Sequence, residues 1–385
     1  MRTYTTIFIL FLYSLCYGQF DNNIFNSCKP VTENDSSKLW LSFENQNFLH
    51  NNEYFNNLYD GITYIGFSLT PTLIYQPSPN IKLQAGWYFL KYSGLNEFGR
   101  SVPWFLCRYK FSKNIDLILG NIYGTVEHKL IEPLYSFNRH FTNNPEQGIQ
   151  FLGNFKYFES DLWLNWEKFI LPGDSFQEEF TLASTVKIKL YEPENKLRVS
   201  IPLQGMATHK GGQNIRNSQH LQTFFNTASG IELNYFPEAI AGHTGKNSEN
   251  HFGTSHYFVS YYDASQFHIQ YYSQGWGMFS NIYAKLRKFD FMAGYWYSKH
   301  FIAPCGEVLF QSVSQKYVYW WEPEKQLVTG KIQFQQKIYN GINLAVRAET
   351  YYDLLRYNFD FSYSFYLVIR QEFFLKKIGK NYGGF

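Results

Sequence analysis

No window of 18 uncharged apolar residues occurs anywhere in the 385-residue sequence, so no stretch is long and oily enough for a membrane helix. Cysteine is scarce, with 4 in the chain and no CxxC spacing, which argues against a structural zinc site. HExxH, GxxxxGKS and GxSxG are all missing, so zinc-peptidase, phosphate-loop and hydrolase-elbow signatures have no support. Charge of either sign is low and balanced, with 34 Lys and Arg against 31 Asp and Glu for a net charge of +3. No basic run exists to hold nucleic acid. Nothing in the sequence calls for a cofactor or a metal.

What the chain has in excess is aromatic side chains: 38 Phe, 32 Tyr and 9 Trp, or 21% of all residues. Mean hydropathy is nevertheless −0.34. Period two reconciles the two facts. In the last stretch, NFDFSYSFYLVIRQEFF at 358–374, Phe359, Phe361, Tyr363, Phe365, Leu367, Ile369 and Phe373 share one side. Asp360, Ser362, Ser364, Tyr366, Arg370 and Glu372 share the other. Alternate residues of a strand point to opposite faces, so this is a strand with one oily and one wet face. It is also long, since globular strands usually run about 5–6 residues.

The same alternation recurs along the chain. Segments near 39–44, 62–75, 81–89, 104–111, 115–123, 148–157, 161–170, 180–190 and 197–203 read as strands. So do those near 251–262, 266–275, 277–288, 289–300, 324–338, 341–353 and 358–374. Lys187, Lys189, Arg198, Lys331, Arg347, Glu349, Arg370 and Glu372 fall on the polar faces. Against lipid such charges would cost about 2–4 kcal/mol each at mid-depth for Arg or Lys, so they are expected to line a watery lumen. Short connections, such as 112–114, 159–160, 192–195, 263–266, 288–290 and 340–341, broadly alternate with longer ones at 49–61, 93–102, 125–147, 171–177, 204–250, 301–323 and 354–357. Unequal loops of this kind mark a transmembrane β-barrel. The predicted fold is all-β, an antiparallel transmembrane barrel of about 16 strands. The count becomes 18 if Gln219–Phe236, with Ser229 and Gly230 as a turn, supplies two strands. A soluble all-β fold would show shorter strands and more Val, Ile and Leu on its apolar face.

The first residues, MRTYTTIFILFLYSLCYGQF, carry a single charge before a short apolar run. That is a secretory signal pattern with cleavage before Gln19. Residues 1–18 are therefore expected to be a signal peptide, 19–38 an N-terminal periplasmic segment and 39–385 the barrel. Cys28, Cys107 and Cys305 remain after cleavage. Cys107 is expected to be buried in its strand, and Cys28 with Cys305 is a candidate bridge.

Taken together, the signal peptide, alternating strands, unequal loops and terminal Phe385 resemble Gram-negative outer-membrane β-barrels of the porin-like kind. The aromatic load and the mature QF start are similar to those of uncharacterised Bacteroidota barrels. The resemblance implies an outer-membrane location, surrounding outer-membrane lipid and recognition by the barrel-assembly machinery. The polar, net-basic inner face points to a channel for small solutes with mild anion or sugar preference. KKIGKNYGGF departs from the pattern by separating Phe385 from the strand.

Two alternatives stay open at this point. A closed barrel could bind or assemble a partner through loops 204–250 and 301–323. An outer-membrane hydrolase would need a serine, a histidine and an acid or amide near the rim, where Ser273, Ser298, His300 and Ser312 fall, with Ser260 and His268 as substitutes. The loop TVEHKLIEPLYSFNRHFTNNPEQ at 125–147 carries Glu127, His128, Glu132, Arg139, His140 and Glu146. It reads either as a candidate constriction loop folded into the lumen or as a solvated surface loop. THKGGQ at 208–213 reads as a tight turn, and His243, His251 and His256 are too irregularly spaced to specify a metal site. Trp163, Trp296, Trp320 and Trp321 read as interfacial belt residues before sugar-stacking ones.

Overall fold

A computed structural model describes residues 22–29, 31–191, 197–212, 220–237 and 250–378. The expectations for residues 1–18, for His243 and for Phe385 lie outside the described residues. Sixteen strands form one closed antiparallel barrel in sequence order, with the first strand hydrogen-bonded to the last. The strands are β1 (Lys38–Glu53), β2 (Thr63–Ser78), β3 (Ile81–Tyr92), β4 (Arg100–Lys110), β5 (Ile115–Asn121), β6 (Gln147–Asn154), β7 (Phe158–Lys168) and β8 (Glu179–Tyr191). They continue with β9 (Leu197–Lys210), β10 (Gln222–Tyr235), β11 (His251–Asp263), β12 (Gln274–Leu286), β13 (Phe289–Lys299), β14 (Glu324–Tyr339), β15 (Ile342–Asp353) and β16 (Phe359–Lys377). No described helix is long and apolar enough to cross a membrane.

The period-two faces become an outside and an inside. Along β15, Val346, Ala348, Thr350 and Tyr352 are exposed, while Arg347, Glu349, Tyr351 and Asp353 are buried. Exposed strand positions such as Phe105, Phe225, Phe258, Phe291 and Phe365 form the oily exterior. Among the described residues, lysines and acids at exposed strand positions sit only at strand ends: Lys168, Lys337, Glu372, Lys376 and Lys377. That distribution is what a hydrocarbon slab demands, because mid-height ions would be stripped of water.

Several boundaries differ from the sequence reading. Gln219–Phe236 yields one continuous strand, β10, with no turn at Ser229 and Gly230. Gly230 is needed for another reason. A Cβ there would collide with the carbonyl oxygen of His256 on β11, so the two backbones approach too closely for any side chain. Conversely, 266–275 is not a strand. The Asp263 carboxylate accepts the Ser265 N–H at 2.9 Å, and the Asp263 N–H returns to the Ser273 carbonyl at 2.8 Å. The chain therefore turns at Asp263, and residues 264–273 become a loop between β11 and β12. The expected tight turn at 263–266 and the single outer loop 204–250 are both overturned. β9 ends and β10 begins at one end of the barrel, whereas β10 ends and β11 begins at the other.

The end at which β1 begins and β16 ends also bears the two- to four-residue connections at 79–80, 111–114, 155–157, 287–288 and 340–341. Short turns assign it to the periplasm. Loops 54–62, 93–99, 122–146, 169–178, 264–273 and 300–323 belong to the opposite, outer end. Cys28, Cys107 and Cys305 are all free thiols, which corrects the candidate bridge. Cys107 is half-buried on the outward face of β4, between inward Leu106 and Arg108.

Candidate functional site

Two loops and an N-terminal segment enter the lumen. The 122–146 loop enters it and touches the wall on several sides. The Ile131 N–H meets Gln204 on β9 at 3.0 Å, Glu132 meets Lys331 on β14 at 2.6 Å, and Asn138 meets His50 on β1 at 2.8 Å. Loop 300–323 packs beside it, with Phe301 and Phe310 fully buried against Trp296 at ring distances of 5.1 and 5.5 Å. Glu307 joins the two loops by accepting hydrogen bonds from Ser136 Oγ at 2.5 Å and Asn138 Nδ2 at 3.1 Å. Burial, reinforced by the nearby Glu132 carboxylate, pushes the Glu307 carboxyl up to about 7. From the periplasmic side, residues 22–29 rise into the same space. Arg370 donates to the carbonyls of Ile24 and Phe25 at 2.7 and 2.8 Å, and Phe25 inserts beside Tyr366, His140 and Phe137.

Cavities remain among the described residues. Volumes of about 350 and 490 Å³ share Lys129, Lys187 and Glu232, and the larger reaches the short turns at Lys113 and Asn154. Another, of about 70 Å³, lies between the β1–β4 wall, the 122–146 loop and Phe25. Polar groups converge on it: Glu44, Gln46, Ser68, Thr70, Glu127, His140 and Glu146. It has room for water or one reacting group.

His140 lies on a one-turn helix, Arg139–Thr142. Its Nε2–H donates to Gln46 Oε1 at 2.6 Å, and Nδ1 accepts from Asn144 Nδ2 at 3.1 Å. Burial holds the imidazole down at about 4 despite the nearby Glu44 carboxylate, so it is uncharged at neutral pH. Glu127 closes the cavity floor by accepting from the backbone of Ser27 and Cys28. Burial raises its carboxyl above the usual range.

His128 is the opposite case. Both ring nitrogens are taken by carboxylates, Asp161 at 2.8 Å and Glu146 at 3.2 Å, and its ring stacks on Trp163 at 3.6 Å. Burial opposes its charge, but the two carboxylates win and lift it to about 9. Glu146, buried yet facing that imidazolium, is held down at about 2. With no free lone pair, His128 is a buried cation that pins the loop to β7.

A second buried group sits beyond the aromatic partition. His50 on β1 is paired in register with Ser364 on β16. Ser364 Oγ meets His50 Nδ1 at 2.5 Å, and the Tyr366 hydroxyl shares that nitrogen at 2.9 Å. His50 Nε2–H donates to Asn138 Oδ1 at 2.8 Å. Phe137 lies 6.0 Å from the rings of both His50 and His140. Phe141 stacks on His50 at 5.2 Å and on Tyr366 at 6.0 Å.

The sequence profile of the family described as lipid A 3'-O-deacylase-type matches residues 31–378. The chain belongs to that family. A search of curated proteins finds no match. Among solved structures, OmpT of Vibrio cholerae, as a loop-deletion mutant, is 11% identical with a TM-score of 0.48, covering 87% of this chain and all of its own. OccK11 of Pseudomonas aeruginosa is 9% identical at TM-score 0.47, covering 93% and 100%, and OprD of the same organism is 11% identical at 0.43, covering 92% and 97%. This member of the deacylase-type family is an outer-membrane β-barrel.

The residues singled out from the sequence fall into three groups. Glu127, His128, Glu132, Arg139, His140 and Glu146 all lie within the barrel, where Arg139 pairs with Glu167 at 2.9 Å. The strand-borne charges sit in networks: Lys187–Glu232 at 2.5 Å, Lys189–Glu159 at 2.8 Å, Lys331–Glu349 at 3.2 Å, Arg347–Glu349 at 3.6 Å, Arg370–Glu44 at 2.9 Å and Lys29–Glu372 at 2.8 Å. Arg198 lies over the Phe236 ring at 4.4 Å. The rim residues are not brought together. Ser312 Oγ accepts the Phe301 N–H, Ser260 meets Thr227, His300 stacks on Tyr272 and His268 meets Asp263. The Ser298 hydroxyl is buried without a partner among the described residues. Trp163 and Trp296 are buried inside, at 1% and 0% exposure, and are not belt residues. Sequence reasoning missed His50, Asn138 and Gln46. The inward position of His50 on β1 was the available signal, but its partners lie 88 and 314 positions away.

Proposed function

We propose that this protein is an outer-membrane hydrolase that removes an ester-linked acyl chain from a glycolipid of the lipid A class. The reading rests on family membership together with one observation. The 122–146 loop, the β1–β4 wall and Phe25 line a small polar cavity that carries an uncharged imidazole, His140. Ester cleavage at neutral pH needs groups of this kind, able to donate or accept a proton without carrying a fixed charge. In this reading His140 offers its Nε2–H, now given to Gln46, to the ester carbonyl oxygen, where negative charge develops in the transition state. The aromatic walls, Phe25, Phe48, Phe137 and Phe141, suit an acyl chain and exclude water.

The loops folded into the lumen disfavour the porin-like reading inferred from strand patterning. Loop 122–146 spans the lumen, and loop 300–323 buries an apolar cluster in the outer half, leaving cavities on the periplasmic side. The test incubates purified protein with vesicles containing lipid A and reads the lipids by mass spectrometry. Loss of one hydroxyacyl chain supports the reading. Unchanged lipid, alongside discrete conductance steps in planar bilayers, would replace it with the channel.

A further inference from the structure

We propose that the periplasmic half of the lumen is a binding site for a neutral sugar of one or two rings. The site is the cavity of about 350 Å³ against loop 122–146, within the usual size range of small-ligand sites, about 300–1,000 Å³. It shares Lys129, Lys187 and Glu232 with the larger cavity that reaches the short turns, so a solute enters from the periplasm. The proposal goes beyond the deacylase reading and does not depend on it.

Strand register builds the wall of this cavity. Asn281 on β12, Gly294 on β13 and Thr329 on β14 are direct partners in one inward row. Glycine leaves a notch in that row, because a Cβ there would crowd both Asn281 Oδ1 and Thr329 Oγ1. These two oxygens are buried, on residues 4% and 1% exposed, and have no hydrogen-bond partner among the described residues. Buried polar atoms are seldom left without a partner, and a glycine inside a strand often marks the close approach of a ligand. Toward the outer end the next row, Phe279, Trp296 and Leu327, is apolar. Toward the periplasm the next row, Tyr283, Met292 and Lys331, lines the cavity, as does Asn281 itself. The notch therefore borders the cavity, and its two oxygens await a group that the cavity's occupant supplies.

The lining selects hydroxyl groups over ions. Asn281 Oδ1 can only accept, so its partner must bring a proton, which a hydroxyl has and an ionised carboxylate lacks. The cations facing the cavity are already compensated. Lys187 meets Glu232 at 2.5 Å, Lys129 meets Glu159 at 3.6 Å, Lys331 meets Glu132 at 2.6 Å and Arg347 meets Glu349 at 3.6 Å. An anion would have to compete with those carboxylates. A sugar hydroxyl donates and accepts at once, so it can join such pairs without breaking them. Asn22, Asn26 and Asn234 add amides with the same double capacity. Half-buried Tyr283 offers an aromatic ring to the apolar face of a pyranose.

The experiment titrates the purified full chain, in a detergent without a sugar headgroup, and reads affinity and stoichiometry by calorimetry. The probes are glucose, galactose, mannose, N-acetylglucosamine, maltose and cellobiose, with glucuronate and inorganic phosphate as the charged comparison. The expected result is saturable one-to-one binding of at least one neutral sugar. Asn281→Leu, which removes the acceptor, and Gly294→Ala, which fills the notch, should each weaken it by about tenfold or more. Heat-modifiable gel mobility shows that each variant is a folded barrel. Should either fail to fold, Tyr283→Ala on the cavity wall takes its place and must weaken binding as well. Absence of saturable binding by every neutral sugar overturns the proposal, as does binding that the folded variants leave unaltered. Tighter binding of glucuronate or inorganic phosphate than of any neutral sugar would mark an anion site and overturn it too. No lipid is present in the titration, so its outcome leaves the deacylase reading untouched.

Discussion

His128 and His140, twelve positions apart in one loop, are two opposite imidazoles. His128 gains two carboxylates and is held at about 9, whereas His140 gains neutral amides and is held at about 4. The consequences for pH have definite signs. A raised histidine contributes stability that is complete below its unfolded value near 6.5 and is lost as pH climbs through about 9. Glu146, depressed to about 2, contributes stability present above its ordinary value and lost as pH falls through 2. The 122–146 loop should therefore be pinned at pH 6 and loosen progressively toward pH 10. Limited proteolysis of that loop across the range checks this, and a cleavage rate flat with pH would refute the pairing. His140→Ala removes the neutral donor at the cavity and should lower deacylation by about 10²–10⁴-fold. Gln46→Ala, which removes only its hydrogen-bond partner, should cost less. Equal rates for His140→Ala and wild type would remove His140 from the chemistry.

At the scale of elements, β16 was the most legible part of the chain, because Phe359 to Phe365 alternate without exception between oily and polar neighbours. The same rule failed at 266–275. There Phe267, Ile269 and Tyr271 alternate as a strand would, yet they are exposed on a loop, because a single Asp263 carboxylate turns the backbone first. The rule also left Gln219–Phe236 undecided, since a glycine required by close strand approach looks in sequence like a glycine required by a turn. Substituting Gly230→Val should therefore disturb the β10–β11 pairing and yield less heat-resistant barrel on a gel. The Arg347–Glu349 and Arg370–Glu44 groupings depend on register and closure, which periodicity does not encode. Arg370→Ala should free the segment at 22–29, because Glu44 and two carbonyls lose their donor. Hydrogen bonds to charged groups are worth about 1.5–3 kcal/mol, so enhanced protease nicking near Phe25 is the expected result, and an unchanged cleavage pattern would contradict the clamp.

For the whole molecule, sequence alone sets the outer surface far better than the interior. Lipid requires one thing of every outward residue, so the exterior is readable from composition and period. The lumen has no such uniform demand. Whether loop 122–146 lay inside or outside could not be told from its polar residues, because buried ion networks and solvated loops use the same side chains. Deleting residues 126–145 should convert a silent barrel into one that gives discrete conductance steps in planar bilayers. A conducting full-length protein would show that the plug does not seal. The most direct measurement for the account as a whole is the mass of lipid A recovered after incubation with the purified barrel. The account predicts a new species lighter by one acyl chain, with the matching fatty acid released. Lipid of unchanged mass, from a barrel shown to be folded, would contradict it.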